Sequence, residues 1–239
     1  MEKPAARQRR RRGSIDPDEI LDGAFAVAER VGLDNLSMPE LASHLDVGVT
    51  SIYWYFRSKE DLLRRMSSRA VSTMQSQMVV PGDRSPSEWQ SFLRDFFMTE
   101  RRVHAEDDLM TDLTLMRTAA YSRHSTLIVY QSIEDSIAYL VSAGFELRTA
   151  WYLYSTCSIY TRGFVMTERN RRENQTPPPG SMQLNLLDAQ TMPLLSRLVV
   201  EEPIFIDMTG DSSFEFGLEI LIEEGERLLE RDRAGAEKG

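Results

Sequence analysis

Apolar side chains recur along this chain at spacings of three and four, and no stretch alternates apolar and polar residues as a half-buried strand would. The first stripe, Ile20, Leu21, Ala24, Phe25, Val27, Ala28 and Val31, predicts a helix. Asp16-Pro17-Asp18-Glu19 supplies its start, with an acidic N-cap and proline at the first helical position, and Gly32 stops it. A second long helix opens at Ser58 and runs through Leu62, Leu63, Met66, Ala70, Val71, Met74 and Met78 until Pro81-Gly82.

The pattern stays helical beyond that break. Trp89, Phe92, Leu93, Phe96 and Phe97 share one face; further helices are expected over Leu109 to Arg117, Ser125 to Ala143 (closed by Gly144) and Leu147 to Arg172. The stretch 174–180, NQTPPPG, cannot be helical, and 202–210 with Pro203 and Gly210 reads as irregular. Between them Met192 to Val200 predicts one short helix. A last helix is capped by Asp211 or Ser212 and carries Phe214, Leu218, Leu221, Ile222, Leu228 and Leu229 inward, with an acidic outer face. Gly217 and Gly225 each cost a lone helix about 1 kcal/mol, which is consistent with another helix packing closely there. From pattern alone its apolar face serves an intramolecular core as well as a partner.

Between the first two long helices lies the stretch from Ser37 to Leu63, SMPELASHLDVGVTSIYWYFRSKEDLL. Ser37 followed by Glu40 is a capping box opening a short helix, with Leu41, Ala42 and Leu45 on one face. Asp46-Val47-Gly48 breaks it, and Gly48 is an acceptable N-cap for a second short helix from Val49 to Tyr55. Two short helices across three or four residues form a helix-turn-helix, whose second helix enters a DNA major groove. With the first helix they predict a bundle burying Phe25, Leu36, Leu41, Leu45, Val47, Ile52 and Phe56.

The expected class is therefore all-α: a disordered basic tail (1–14), a helix-turn-helix domain (15–65), a larger helical domain (66–233) and a disordered C-terminal tail (234–239). At 239 residues and 41% hydrophobic the chain can bury a substantial core. The net charge of −9 argues at first against a nucleic-acid partner, but its distribution reverses that. Met1 to Arg69 holds 12 basic and 11 acidic residues, the remainder 16 and 26, and Met1 to Ser14 alone holds six basic residues and one acid. A basic end on an acidic body suits a protein of which one end touches DNA.

Cys157 is the single cysteine, so no internal disulfide forms and a reducing cytoplasm is the expected compartment. No apolar run is long enough to span a membrane. Of the three histidines, His44, His104 and His124, none lies four residues from another, and no cysteine pair, phosphate-binding glycine loop or nucleophile elbow occurs. No catalytic residue, metal site or cofactor is expected.

The ending SIYWYFRSKEDLL of the helix-turn-helix resembles the TetR family of one-component regulators. EWQSFLRDF at Glu88 to Phe96, SAGF at Ser142 to Phe145, the TPPPGSM loop and FEFGLEILIEEGERLL at Phe214 to Leu229 are similar to the C-terminal domain of its tetracycline-repressor branch. The resemblance implies a homodimer built as a four-helix bundle from the Leu147 to Arg172 and Asp211 to Glu230 helices, with Phe214, Leu218, Leu221, Ile222 and Leu228 at that interface. It implies a double-stranded DNA operator, palindromic to match the dimer, released when a small effector enters the core.

Carried over residue by residue, Val49, Thr50, Ser51 and Trp54 match base-facing positions; Tyr53, Tyr55 and Lys59 match phosphate contacts, joined by Ser37 and Arg57. Thr and Ser hydroxyls bond either kind of base edge, and Val49 or the Thr50 methyl can meet a thymine methyl. Tyr53 also reads as a partly buried core aromatic. The ligand-lining set is Phe92, Phe96, Met110, Leu113, Met116, Tyr130, Trp151, Tyr154 and Phe164, each of which taken alone reads more readily as plain core. The branch's metal-binding histidine falls within Leu109 to Arg117, which holds none, so a largely apolar effector is expected in place of magnesium-tetracycline. Alternatives are a DNA-binding or architectural protein without an effector, and an activator of the same fold.

Overall fold

The computed structural model describes residues 15–116, 122–174, 186–201 and 209–236, and every regular element among them is helical. The helices are α1 Pro17–Val31, α2 Met38–His44, α3 Val49–Tyr53, α4 Lys59–Gln77, α5 Trp89–Glu106, α6 Asp108–Thr111, α7 Arg123–Ser142, α8 Leu147–Glu173, α9 Pro193–Glu201 and α10 Asp211–Ala236. The expected basic tail, the loop from 175 and most of the irregular stretch 202–210 lie outside the described residues. The final helix runs through Ala236, so the C-terminal tail expected from 234 is helical over its first three residues.

The chain forms two compact units. The first comprises the N-terminal part to Gln77 together with Asp107–Ser132. Asp16 caps α1 through its carboxylate, which accepts the Glu19 amide at 2.7 Å. Ile20, Ala24, Val27, Leu36, Leu41 and Ile52 are almost wholly buried where α1, α2 and α3 meet, with Leu62 and Met66 of α4. Of the expected bundle core, Phe25 and Leu45 are only partly buried. The Phe25 ring lies instead against the Arg69 guanidinium, 5.6 Å from the ring centre. The helix expected over 109–117 is interrupted: α6 passes into a π-turn, Asp112–Met116, that packs on α4. Within it the Thr114 hydroxyl donates to the Met110 carbonyl at 2.7 Å, a back-bond that bends helices. The hydroxyls of Ser68, Ser122 and Ser125 close a ring of hydrogen bonds, each 2.9 Å, joining α4 to the start of α7.

The second unit comprises Met78–Glu106 and everything from Ile133. It is organised by α5, α8 and α10, which pack on one another pairwise. Trp89, Phe92, Leu93, Phe97, Leu140, Ala150, Cys157, Phe214 and Leu218 form its centre. Ser85 and Glu88 make a capping box ahead of α5. The α7–α8 turn uses Gly144 at φ +107° and is held from α10: Asp232 accepts the Glu146 amide at 3.0 Å and Arg233 donates to the Ala143 carbonyl at 2.8 Å. A carboxylate at the α8 N-terminus matches the positive end of that helix. Close helix packing at the two glycines of α10 is present: a Cβ on Gly225 would lie 2.9 Å from the Trp89 ring and 3.0 Å from Leu153, and one on Gly217 would collide with Tyr160.

Candidate nucleic-acid interface and effector core

The helix-turn-helix is built from local caps. Ser37 accepts the Glu40 amide at 3.2 Å, opening α2, while the Glu40 carboxylate reaches Arg30 of α1 at 2.8 Å. Asp46 makes the turn with φ 55°, the left-handed conformation, and Val47 closes it by donating to the Ala42 carbonyl at 3.0 Å. Gly48, extended, begins α3. Ser58 accepts the Asp61 amide, and Asp61 in turn accepts the Arg57 amide, both at 3.2 Å, so the entry to α4 is fixed from both sides.

On this frame α3 buries Ile52 and turns its other residues outward. Thr50 is exposed and Val49 and Ser51 are half-buried, whereas Trp54 is 84% exposed and Tyr53 46% exposed. Tyr53 is thus a surface residue, not the core aromatic that its ring alone allows. Tyr55 is half-buried and Arg57 exposed. Lys59 donates to the Asp34 carbonyl at 2.9 Å; an ammonium has three donors and retains others for a phosphate. The candidates for DNA contact therefore lie on α3 and directly after it, and on the residues that open α2 and α4.

The candidate effector residues are divided between the two units. Phe92, Phe96 and Tyr154 come together in the core of the second unit, with ring centres 5.8 Å apart for Phe92–Phe96 and 5.9 Å for Phe96–Tyr154. Phe164 packs edge-on against Phe214, 5.1 Å away, and both face the Arg101 guanidinium. Met110 and Leu113 are buried in the first unit. Met116, Tyr130 and Trp151 are exposed in the single chain.

The candidate dimerisation residues also divide. Phe214, Leu218 and Ile222 are buried in the second unit's own core, with Leu221 and Leu228 packed against it. As α5 and α8 both pack on α10, its inward stripe is covered within the chain. What α8 and α10 leave outside is a different apolar set: Tyr152, Ile159, Phe216 and Ile220.

The sequence reading passed over a buried polar group beside these aromatics. Glu100 is 5% exposed; its Oε1 accepts from Arg162 Nε of α8 at 3.1 Å, and its Oε2, fully buried, has no hydrogen-bond partner among the described residues. Burial pushes its carboxyl up, an effect that Arg162 opposes. His104, one turn on, is held down to about 4 by burial and by the Arg162 charge, and is therefore neutral. Burial raises the Tyr154 hydroxyl, and the Glu100 charge adds to this. Burial takes the Cys157 thiol up to about 12, which leaves it unreactive. The signal was in the spacing: Glu100 and His104 continue the stripe of Phe92, Phe96 and Phe97 at intervals of three and four. Further along, Arg101 bridges Glu168 of α8 at 2.6 Å and Asp211 of α10 at 2.7 Å, tying three helices together. Among the described residues no group of three or more His, Cys, Asp or Glu is arranged to hold a metal, and no helix is long and apolar enough to cross a membrane.

Two family models match. "Bacterial regulatory proteins, tetR family" covers residues 20–66, and "Tetracyclin repressor-like, C-terminal domain" covers residues 109–225. An HTH-type transcriptional repressor of Mycobacterium tuberculosis is 39% identical, over 98% of this chain and 88% of the relative. The class D tetracycline repressor of Escherichia coli is 26% identical over 87% of this chain and 88% of its own length. Among solved structures, apo ActR of Streptomyces coelicolor aligns with a TM-score of 0.66 at 20% identity, over 91% of this chain and 99% of that one. ActR has also been solved with actinorhodin, matching at a TM-score of 0.63 and 22% identity over 89% and 96% of the two chains. The helix-turn-helix, the all-helical second unit and these matches over nearly the whole length place this chain in the TetR family of DNA-binding transcriptional regulators.

Proposed function

We propose that the protein is a repressor that binds a palindromic operator as a homodimer in the cytoplasm and leaves it when a small, largely apolar effector enters the second unit. The observation that carries this reading is the exposure of Trp54 and Tyr53 at the end of α3, in a helix-turn-helix whose first helix is capped by Ser37 and whose turn is made by Asp46. An aromatic pair held out in water costs apolar hydration and marks an interaction surface. The relatives named as repressors, including one at 39% identity, support the sign of the regulation.

Base contacts are assigned to Val49, Thr50, Ser51 and Trp54, and phosphate contacts to Tyr53, Tyr55, Lys59, Arg57 and Ser37. The homodimer is assigned to the outward faces of α8 and α10, through Tyr152, Ile159, Phe216 and Ile220. The effector is assigned to the aromatic core around Phe92, Phe96, Tyr154 and Phe164. Release is a population shift, so the effector must favour the state that cannot span both half-sites.

The test is fluorescence anisotropy with the intergenic DNA upstream of the protein's own gene, at two salt concentrations, for the wild type and for a Tyr53→Ala, Lys59→Ala variant. Tight, salt-sensitive binding that the variant loses supports the reading, and Trp54→Ala should weaken it without altering the melting temperature. Binding that neither change affects would move the interface elsewhere.

A further inference from the structure

Glu100 stands out in the second unit because its carboxylate is buried with only one of its two oxygens hydrogen-bonded among the described residues. Burying a charge is costly unless it is fully paired, and an acceptor left open in a core is costlier than an apolar side chain of the same size. Yet Oε2 is fully buried without a partner among the described residues, while Arg162 serves Oε1 only from the rim, its own side chain being about half exposed. Tyr154, whose titration registers the Glu100 charge, is ringed by Phe96 and Phe97 with centres 5.9 and 5.6 Å away. A carboxylate acceptor next to a cluster of aromatic faces is the environment that receives an organic cation, since the ring faces are negative and the carboxylate supplies a charge-assisted bond.

We propose that the effector is an amphipathic amine: an apolar, aromatic-sized body that lies among Phe96, Phe97 and Tyr154, carrying a protonated nitrogen that donates to Glu100 Oε2. This rests on the effector-responsive reading above and narrows its ligand class. His104, one turn along α5 from Glu100, is neutral and so places no competing positive charge beside the carboxylate. Arg162, half in solvent, can turn outward as the ammonium takes its share of the carboxylate.

The experiment titrates the whole protein with a series of arylalkylammonium ions of increasing size, each paired with the alcohol of the same carbon skeleton, by calorimetry and by ligand-observed NMR. The expected result is that at least one ammonium binds about tenfold or more tightly than its alcohol, and that Glu100→Gln, of equal size, abolishes that preference. Equal binding of ammonium and alcohol by the wild type overturns the proposal, as does a preference that survives in Glu100→Gln. The wild-type comparison stands even where the variant fails to fold. Operator binding by the same preparation separates the two readings: a protein that binds DNA but shows no ammonium preference remains a regulator with a different effector.

Discussion

Tyr160 of α8 occupies the space that a side chain at position 217 of α10 would need. Its hydroxyl donates to the carbonyls of Ser213 and Phe214, each at 3.1 Å, and its ring stacks on Phe214 with centres 5.4 Å apart. A Cβ at 217 would collide with that hydroxyl and with the ring carbon bearing it. Gly217→Ala should therefore destabilise the protein by about 1–3 kcal/mol, although alanine is the better helix former. Urea denaturation measures it, and Tyr160→Phe in the same background should recover part of the loss. A Gly217→Ala protein more stable than the wild type would contradict the contact.

His104 gives stability a pH dependence of known sign. Its folded value, about 4, lies below the ordinary 6.5, so the unfolded chain takes up a proton first as pH falls. Its contribution is fully present above pH 6.5 and is lost between 6.5 and about 4, on the order of 3 kcal/mol. Glu100 acts in the opposite sense: its raised carboxyl favours the folded state at low pH and gives that up as pH rises above 4.5. The difference between wild type and His104→Gln isolates the histidine. Denaturation at pH 7 and pH 4.5 should show the wild type losing more stability than the variant; equal losses would refute the assignment.

Asp46 makes the helix-turn-helix turn at φ 55°, where a side chain is strained and glycine is not. Asp46→Gly should raise stability by about 0.5–1 kcal/mol and leave operator affinity unchanged, because the residue is exposed and lies before α3. A fall in melting temperature would mean that the carboxylate contributes more than the backbone strain costs.

Ile159 is 72% exposed on α8, two helical turns from the exposed Tyr152, and Phe216 is exposed on α10. For the proposed homodimer, Ile159→Glu should give a monomer in sedimentation velocity and weaken operator binding by more than tenfold, since each chain would then hold only one half-site. A dimer of unchanged strength would place the interface on another face.

The helix-turn-helix was fully legible in the sequence because everything that defines it is local. Ser37, Asp46, Gly48 and Ser58 each act within four residues of themselves; the Ser37 and Ser58 caps and the Asp46 turn are observed, whereas the Glu40 half of the expected capping box turns to Arg30 instead. The all-helical class was legible for the same reason, since a stripe at spacings of three and four is a property of one segment. The interruption after α6 was not, because a bend made by Thr114 back-bonding depends on how the π-turn packs on α4.

Which partner a stripe meets was also beyond the sequence. Phe214, Leu218 and Ile222 are apolar in just the way that a subunit interface would be, but α5 and α8 cover them inside the chain. Phe216 and Ile220, two residues away, are the ones left exposed. The same holds for Glu100 and His104: their spacing continues the apolar stripe of α5, but only the packing shows that they are buried. Period and capping are written into a segment by its own residues; burial is decided by the neighbours that arrive from elsewhere in the chain, and so only the tertiary structure could show which faces were used and where a carboxylate had been left open.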